Sequence, residues 1–202
     1  MIGLINYGMG NLGSVKRTFD ILNIENKIIV NPEDVQSCEK LVLPGVGNFA
    51  KAMDILNKEG WTETIIQHVN KNKPLLGICL GMQLLMTVGY ESGERNGLGL
   101  ISGEAVSFED LNKDIRIPHV GWNSLINIDE HSKLLKGIQE NTDFYFVHSY
   151  FVKPSDSSSV GSTEYGVAFC SALESNNVYG TQFHPEKSSK AGRKILENFS
   201  NL

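Results

Sequence analysis

Glycine stands on both sides of Cys79 in Gly77-Ile78-Cys79-Leu80-Gly81, between the apolar run Pro74-Leu75-Leu76-Gly77-Ile78 and the helical-looking stretch Met82-Gln83-Leu84-Leu85-Met86. A strand that turns directly into a helix crowds its own backbone. Glycines are therefore needed beside the apex residue, which is held out at the carboxyl end of a sheet. Here the apex residue is a thiol. The first turn of the following helix offers unpaired N–H groups and the positive end of its dipole, both of which favour a thiolate and can receive an oxyanion. Covalent acyl transfer is the chemistry this arrangement suits. Alone, the pentapeptide is equally compatible with a small apolar cysteine in a tight core turn.

The surroundings of the turn predict an α/β fold. Short β-like runs at 1–6, 27–30, 40–43 and 75–78 alternate with helical patterns at 12–22, 48–57, 61–71 and 80–88. That alternation implies parallel strands joined by crossover helices. From Gly97 onward short strands and turns take over, at 105–108, 115–117, 124–128, 144–152, 160–164, 169–174 and 178–183, so additional antiparallel strands are expected in the C-terminal half. A closing amphipathic helix is expected over 190–202, where Ile195, Leu196 and Phe199 fall at helical spacing. No linker divides the halves, and 202 residues fit one domain, 1–202, that would bury roughly 70% of its unfolded surface.

Composition narrows the partners. A net charge of −5 with scattered Lys and Arg leaves no basic footprint for nucleic acid or an anionic membrane. No apolar run is long enough to span a bilayer and Met1-Ile2-Gly3-Leu4-Ile5 is no signal peptide, so a cytoplasmic location is expected. Cys38, Cys79 and Cys170 form neither a Cys-x-x-Cys pair nor an even-numbered framework, so no metal, other cofactor or disulfide scaffold is indicated.

A cysteine nucleophile needs a base and a group to orient that base. Among five histidines, His68 and His131 lie in polar surroundings and read as solvated surface. His184 ends the apolar strand-like run 178–183 and is followed by Pro185 and Glu186. Pro185 stiffens the turn, and Glu186 can fold back against the imidazole, selecting its tautomer and stabilising the imidazolium. His-Pro-Glu at a strand end is also an ordinary turn with a capping acid. Pro44-Gly45-Val46-Gly47 follows strand 40–43, so its N–H groups would sit at the same sheet edge as Cys79, and the N–H of Leu80 is a second oxyanion donor. Gln83, four residues after Cys79, would share a helix face with it and could bond a carboxamide. Gly8-Met9-Gly10-Asn11-Leu12-Gly13 has the wrong glycine spacing for a dinucleotide fingerprint and reads as a turn capped by Asn11.

Gly-Ile-Cys-Leu-Gly-Met-Gln at 77–83, Pro-Gly-Val-Gly at 44–47 and Gln-Phe-His-Pro-Glu-Lys-Ser at 182–188 resemble, in order and spacing, the class I glutamine amidotransferases. Tyr7-Gly8-Met9-Gly10-Asn11-Leu12, Pro118-His119-Val120-Gly121-Trp122-Asn123 and Phe144-Tyr145-Phe146-Val147-His148-Ser149-Tyr150 make the chain similar to their HisH type, the glutaminase subunit of imidazole glycerol phosphate synthase, essentially end to end. The resemblance implies a single-domain class I amidotransferase fold with a central, mostly parallel sheet flanked by helices. It also implies a Cys79-His184-Glu186 triad that hydrolyses glutamine through a glutamyl thioester. Val46, Gly47 and Leu80 would supply the oxyanion hole, and Gly45, Gly47, Gln83, Ser149 and Tyr150 would hold glutamine. Trp122, Asn123, Tyr145 and Lys187 would lie at or near the interface with a HisF-type (β/α)8-barrel cyclase, which uses the ammonia in histidine biosynthesis. Val120 stands where Met is common, and Phe169-Cys170-Ser171 is an unusual version of its strand. A HisH-like paralogue feeding a sugar-modifying synthase, and a self-standing cysteine hydrolase, are the alternatives.

Overall fold

The computed structural model describes residues 1–111 and 114–202. Its first half runs β1 (Ile2–Ile5), α1 (Leu12–Ile21), β2 (Asn26–Ile29), β3 (Lys40–Gly45), α2 (Phe49–Lys58), α3 (Trp61–Asn70) and β4 (Leu75–Cys79). There follow α4 (Leu80–Leu84), β5 (Met86–Gly89), β6 (Arg95–Asn96), β7 (Ile101–Ser107), β8 (His119–Leu125), β9 (Thr142–His148) and β10 (Tyr150–Pro154). The chain closes with β11 (Ser159–Glu164), β12 (Ala168–Ser175), β13 (Val178–Thr181) and α5 (Ser189–Ser200).

The large sheet has the order β2-β1-β3-β4-β13-β12-β10-β7-β5-β6, with β11 added to β12. The section from β2 to β13 is parallel, and β12, β10 and β7 continue it antiparallel. Every residue of β1 and β4 is buried, as strands covered on both faces must be. Period-two alternation divides their side chains between two cores. Ile5, Leu41, Leu43 and Leu75 join Phe49, Met53, Leu56 and Trp61 from α2 and α3 on one face. Leu4, Val42, Leu76 and Ile78 meet Val15 and Phe19 of α1, Ile195 and Phe199 of α5, and Phe144 and Phe146 of β9 on the other. Asn48 caps α2 by accepting from the Lys51 N–H at 2.9 Å. Asn11 occupies the equivalent position before α1, but its side chain makes no capping bond.

Three sequence expectations give way. The helix expected over 80–88 stops at Leu84, because the N–H groups of Leu98, Leu100 and Ile101 come to the carbonyls of Leu84 and Leu85 and Met86 enters β5. Residues 115–117 form no strand. The strand expected over 144–152 is two strands in different sheets: β9 pairs only with β8, in a separate ribbon, whereas β10 lies between β12 and β7. Burial records the change at Ser149, from alternating Phe144, Phe146 and His148 to consecutive Phe151 and Val152.

His68 is buried, contrary to its reading as surface, with Nε2 3.2 Å from the Pro74 carbonyl at the end of α3; His131 is exposed. Burial pushes His68 and His119 down to about 4 and His148 to about 3. Unfolded imidazoles take up a proton near pH 6.5, so this burial costs nothing above that pH and progressively destabilises the fold as pH falls toward 4 and 3. The thermal midpoint is expected to fall steadily between about pH 6.5 and 4.5, His148 alone accounting for roughly 3 kcal/mol at the lower end. A midpoint flat across that window in a calorimetric pH series contradicts neutral burial of these rings.

Candidate active site

Cys79 ends β4 at φ 56° and ψ −112°, a left-hand-side conformation costly for a residue with a side chain, at roughly 1–3 kcal/mol. Two close approaches hold it there. A Cβ on Gly77 would lie 2.6 Å from the Gly81 carbonyl oxygen, and one on Gly81 would collide with the carbonyl oxygen of Leu43. The chain can therefore fold back on β3 only with glycine at both places. Cys79 is 6% exposed, and α4 begins with the next residue. With only five residues α4 has little dipole, so the free N–H of its first turn is the larger contribution at this end.

Strand β13 lies beside β4 with Thr181 opposite Ile78, and this register brings the segment after β13 to the elbow. Gln182 Nε2 is 3.7 Å from Cys79 Sγ, whose thiol donates toward the Val147 carbonyl at 3.9 Å. His184 Nδ1 sits 2.8 Å from Glu186 Oε1, with 2% and 1% of the two side chains exposed. Their turn is clamped: Ser188 Oγ donates to the His184 carbonyl at 2.7 Å and accepts from the Tyr145 N–H at 3.0 Å. Burial works against charging His184, but Cys79 and the Glu186 carboxylate outweigh it and raise the imidazole to about 10. The imidazolium form of His184 is thus favoured. Among the described residues the buried His184 Nε2 has no partner at full hydrogen-bonding geometry, and with Nδ1 held by Glu186 it is the nitrogen left to exchange a proton with Cys79.

A cavity of about 340 Å³ opens over Cys79. Of the positions expected from sequence, Val46, Gly47, Leu80, Gln83, Ser149 and Tyr150 line it. Gly45 lies behind it, paired with Cys79 in the β3–β4 register, where a Cβ would come within 2.8 Å of the Gly81 nitrogen. Glu91, Pro118, Val147 and His148 also line the cavity and were missed, because no local pattern marks a loop carboxylate or one residue of a strand as part of a wall. Gln83 differs in detail from the sequence reading. Its Nε2 donates to the Tyr150 carbonyl at 2.9 Å and to Gln182 Oε1 at 3.1 Å, leaving Oε1 as the atom it can offer a ligand. The Val46 N–H donates to the Met9 carbonyl at 3.2 Å and so faces away from Cys79, while Gly47 holds φ at 104°.

The β8–β9 ribbon borders the cavity. Trp122 pairs with Tyr145 across it, rings 6.1 Å apart, and Lys187 Nζ lies 5.5 Å from the Tyr145 ring centre. Trp122 is 54% and Val120 56% exposed, an outward stripe of apolar side chains. Asn123 projects from the other face of the strand, bonded to His119 Nε2 and the Glu164 carbonyl. Among the described residues no group of three or more His, Cys, Asp or Glu side chains could hold a metal ion, and no helix is long and apolar enough to cross a membrane.

A buried imidazole–carboxylate pair close to a thiol on a strand-to-helix elbow is an arrangement that can serve covalent acyl transfer. The family described as Glutamine amidotransferase class-I matches residues 4–201, and the chain belongs to that family. It is 48% identical over 204 residues to imidazole glycerol phosphate synthase subunit HisH 1 of Campylobacter jejuni (strain 81-176) and 46% identical over 204 residues to subunit HisH of Methanocaldococcus jannaschii, covering 100% of both chains in each case. Among solved structures, PurLQS from Thermotoga maritima superposes with a TM-score of 0.77 at 18% identity, covering 99% of this chain and 97% of that one, a likeness of fold alone.

Proposed function

We propose that this chain, acting as one unit over 1–202, is the glutaminase of a cytoplasmic imidazole glycerol phosphate synthase and passes ammonia to a HisF-type (β/α)8-barrel cyclase in histidine biosynthesis. The observation that carries the chemistry is the buried His184–Glu186 pair, 2.8 Å apart, whose imidazole interacts with Cys79, itself part of the cavity lining although the pair is not. The full-length likeness to HisH subunits supports the pathway.

In the reaction Cys79 passes its S–H proton to His184 Nε2, and Sγ attacks the side-chain carbonyl carbon of glutamine, forming the C–S bond. His184 Nε2–H protonates the amide nitrogen, the C–N bond breaks and ammonia leaves a glutamyl thioester. His184 then takes a proton from water, which attacks the thioester carbon and releases glutamate and the thiol. Glu186 holds the Nδ1–H throughout. Glu91 is placed to meet the α-ammonium of glutamine, and Gln83 Oε1 can accept from one of its N–H groups. The Leu80 N–H serves the oxyanion. The Val46 amide can join it only by leaving the Met9 carbonyl, through rotation about the neighbouring Gly45 and Gly47. One missing donor typically costs about a hundredfold or more.

The stripe of Val120, Trp122, Tyr145 and Lys187 fits a docking face for the cyclase. The isolated chain is accordingly expected to hydrolyse glutamine at least about a hundredfold more slowly than the complex. A diazoketone analogue of glutamine should label Cys79 in the complex, as read by peptide mass spectrometry. No labelling with the cyclase bound sinks the reading, and full activity without it removes the docking-dependent step.

A further inference from the structure

Two buried histidines outside the triad are used by none of these steps, and their hydrogen bonds admit a single arrangement of protons. His148 Nδ1 is 2.8 Å from the Tyr150 carbonyl, which can only accept, so Nδ1 carries the hydrogen. His148 Nε2 lies 2.9 Å from His119 Nδ1. Two N–H groups cannot face each other at that distance, and a neutral His148 with hydrogen on Nδ1 presents a lone pair at Nε2. His119 Nδ1–H is therefore the donor, and its Nε2 accepts from Asn123 Nδ2 at 3.3 Å. The other Asn123 amide hydrogen goes to the Glu164 carbonyl at 3.1 Å, and its Oδ1 accepts the Ser124 N–H at 2.8 Å. Every polar side-chain atom of His148, His119 and Asn123 is thereby partnered.

Aromatic rings pack around the pair. His119 is stacked between Tyr165 and Phe146, at 4.0 and 4.9 Å between centres, and His148 lies 5.3 Å from Phe108 and 5.2 Å from Phe169. Burial keeps both rings neutral, as the lone-pair argument requires.

The Tyr150 carbonyl accepts a second hydrogen, from Gln83 Nε2 at 2.9 Å. Gln83 reaches Gln182 Oε1, and Gln182 Nε2 reaches Cys79 Sγ. One unbroken series of hydrogen bonds therefore runs from the β8 strand, beside the exposed Trp122, to the sulfur.

We infer that His148 and His119 are positioning residues of the glutaminase reaction: the His148 Nδ1–H fixes the Tyr150 carbonyl, and through it Gln83 and Gln182, against Cys79, while His119 fixes the tautomer of His148. This rests on the glutaminase reading above. It makes the β9–β10 break at Ser149 functional, since only there does the chain leave the ribbon and present the Tyr150 carbonyl to the cavity side.

Two amide variants separate positioning from space filling. In His148→Asn the side-chain nitrogen falls near the place of Nδ1 and can still donate to Tyr150. In His148→Gln the amide falls near the place of Nε2, still meets His119, and loses the bond to Tyr150. In the complex, His148→Gln is expected to lower kcat for glutamine hydrolysis at least about tenfold with KM changed little, the size of a hydrogen bond lost from a buried network. His148→Asn should remain within about threefold of the parent on the same grounds, and synthesis from added ammonium salt should be unchanged in both. Nitrogen NMR of the parent should show hydrogen on Nδ1 of both rings. The proposal is overturned if the two variants lose activity equally, if neither loses any, or if either ring carries its hydrogen on Nε2. Absence of glutamine hydrolysis by the unsubstituted complex removes the glutaminase reading itself, and this one with it.

Discussion

Replacing Cys79 with alanine abolishes glutamine-driven synthesis by the complex and leaves synthesis from added ammonium salt intact. The expected loss in kcat for glutamine is at least about 10⁴-fold, because the route through a thioester disappears and what survives is binding and oxyanion stabilisation alone. The fold should not suffer in proportion. Cys79 is a small, 6% exposed side chain whose sulfur makes long polar contacts to Gln182 and Val147, at 3.7 and 3.9 Å, and alanine meets the same φ of 56° at similar cost. His184 and Glu186 keep their 2.8 Å bond, since the Ser188 clamp and the Pro185 turn hold it without the thiol. Parallel assays with glutamine and with ammonium salt check this. If both activities vanish, ammonia is not the product handed on. If glutamine turnover persists, Cys79 is not the nucleophile and the proximity of His184 has another meaning.

How much of this arrangement could be read from residues alone depends on how local its causes are. The elbow was legible because steric crowding within five residues demands Gly77, whose Cβ would meet the Gly81 carbonyl, whereas the demand for Gly81 comes from the Leu43 carbonyl of β3. Pro185 and Glu186 were legible for the same reason, since a stiff turn two residues long carries the carboxylate to Nδ1. The end of α4 was not, because Met82 to Met86 would serve as well in a longer helix. What stops it is the arrival of residues 98–101, a contact between distant segments. The break at Ser149 escaped notice because an apolar run reads as one strand until its two halves are seen to face different layers. His68 and His148 were hidden for a related reason: an imidazole's burial is decided by what covers it, here the Pro74 carbonyl and a cage of aromatic rings. Glu91 reaches the cavity wall by a bond to the Phe49 N–H at 2.6 Å, forty-two positions away. Geometry set by neighbours in sequence was visible, and geometry assembled across the sheet was not.

Gly81→Ala should be the most damaging single methyl group in the chain. The added Cβ would overlap the Leu43 carbonyl oxygen, which belongs to β3, a strand buried on both faces between β1 and β4. Neither partner is the far end of a flexible side chain, so relief requires moving central backbone. We expect a loss of roughly 3 kcal/mol or more, a large share of the roughly 5–15 kcal/mol that holds a domain together. For a chain of this length that corresponds to a fall of roughly 6–12 °C in thermal midpoint, or to insolubility. Gly13→Ala is the control: it lies in α1, a Cβ there meets nothing within 4 Å, and the exchange should raise stability by up to about 1 kcal/mol. Thermal unfolding of the two variants beside the parent decides the matter, and a Gly81→Ala midpoint within about 2 °C of the parent would falsify the close packing of elbow on strand. The same packing sets Gly45 opposite Cys79, so an elbow pushed off β3 would carry the sulfur away from the segment whose amides must receive the oxyanion. Any soluble fraction of Gly81→Ala should therefore lose glutaminase activity more steeply than it loses stability.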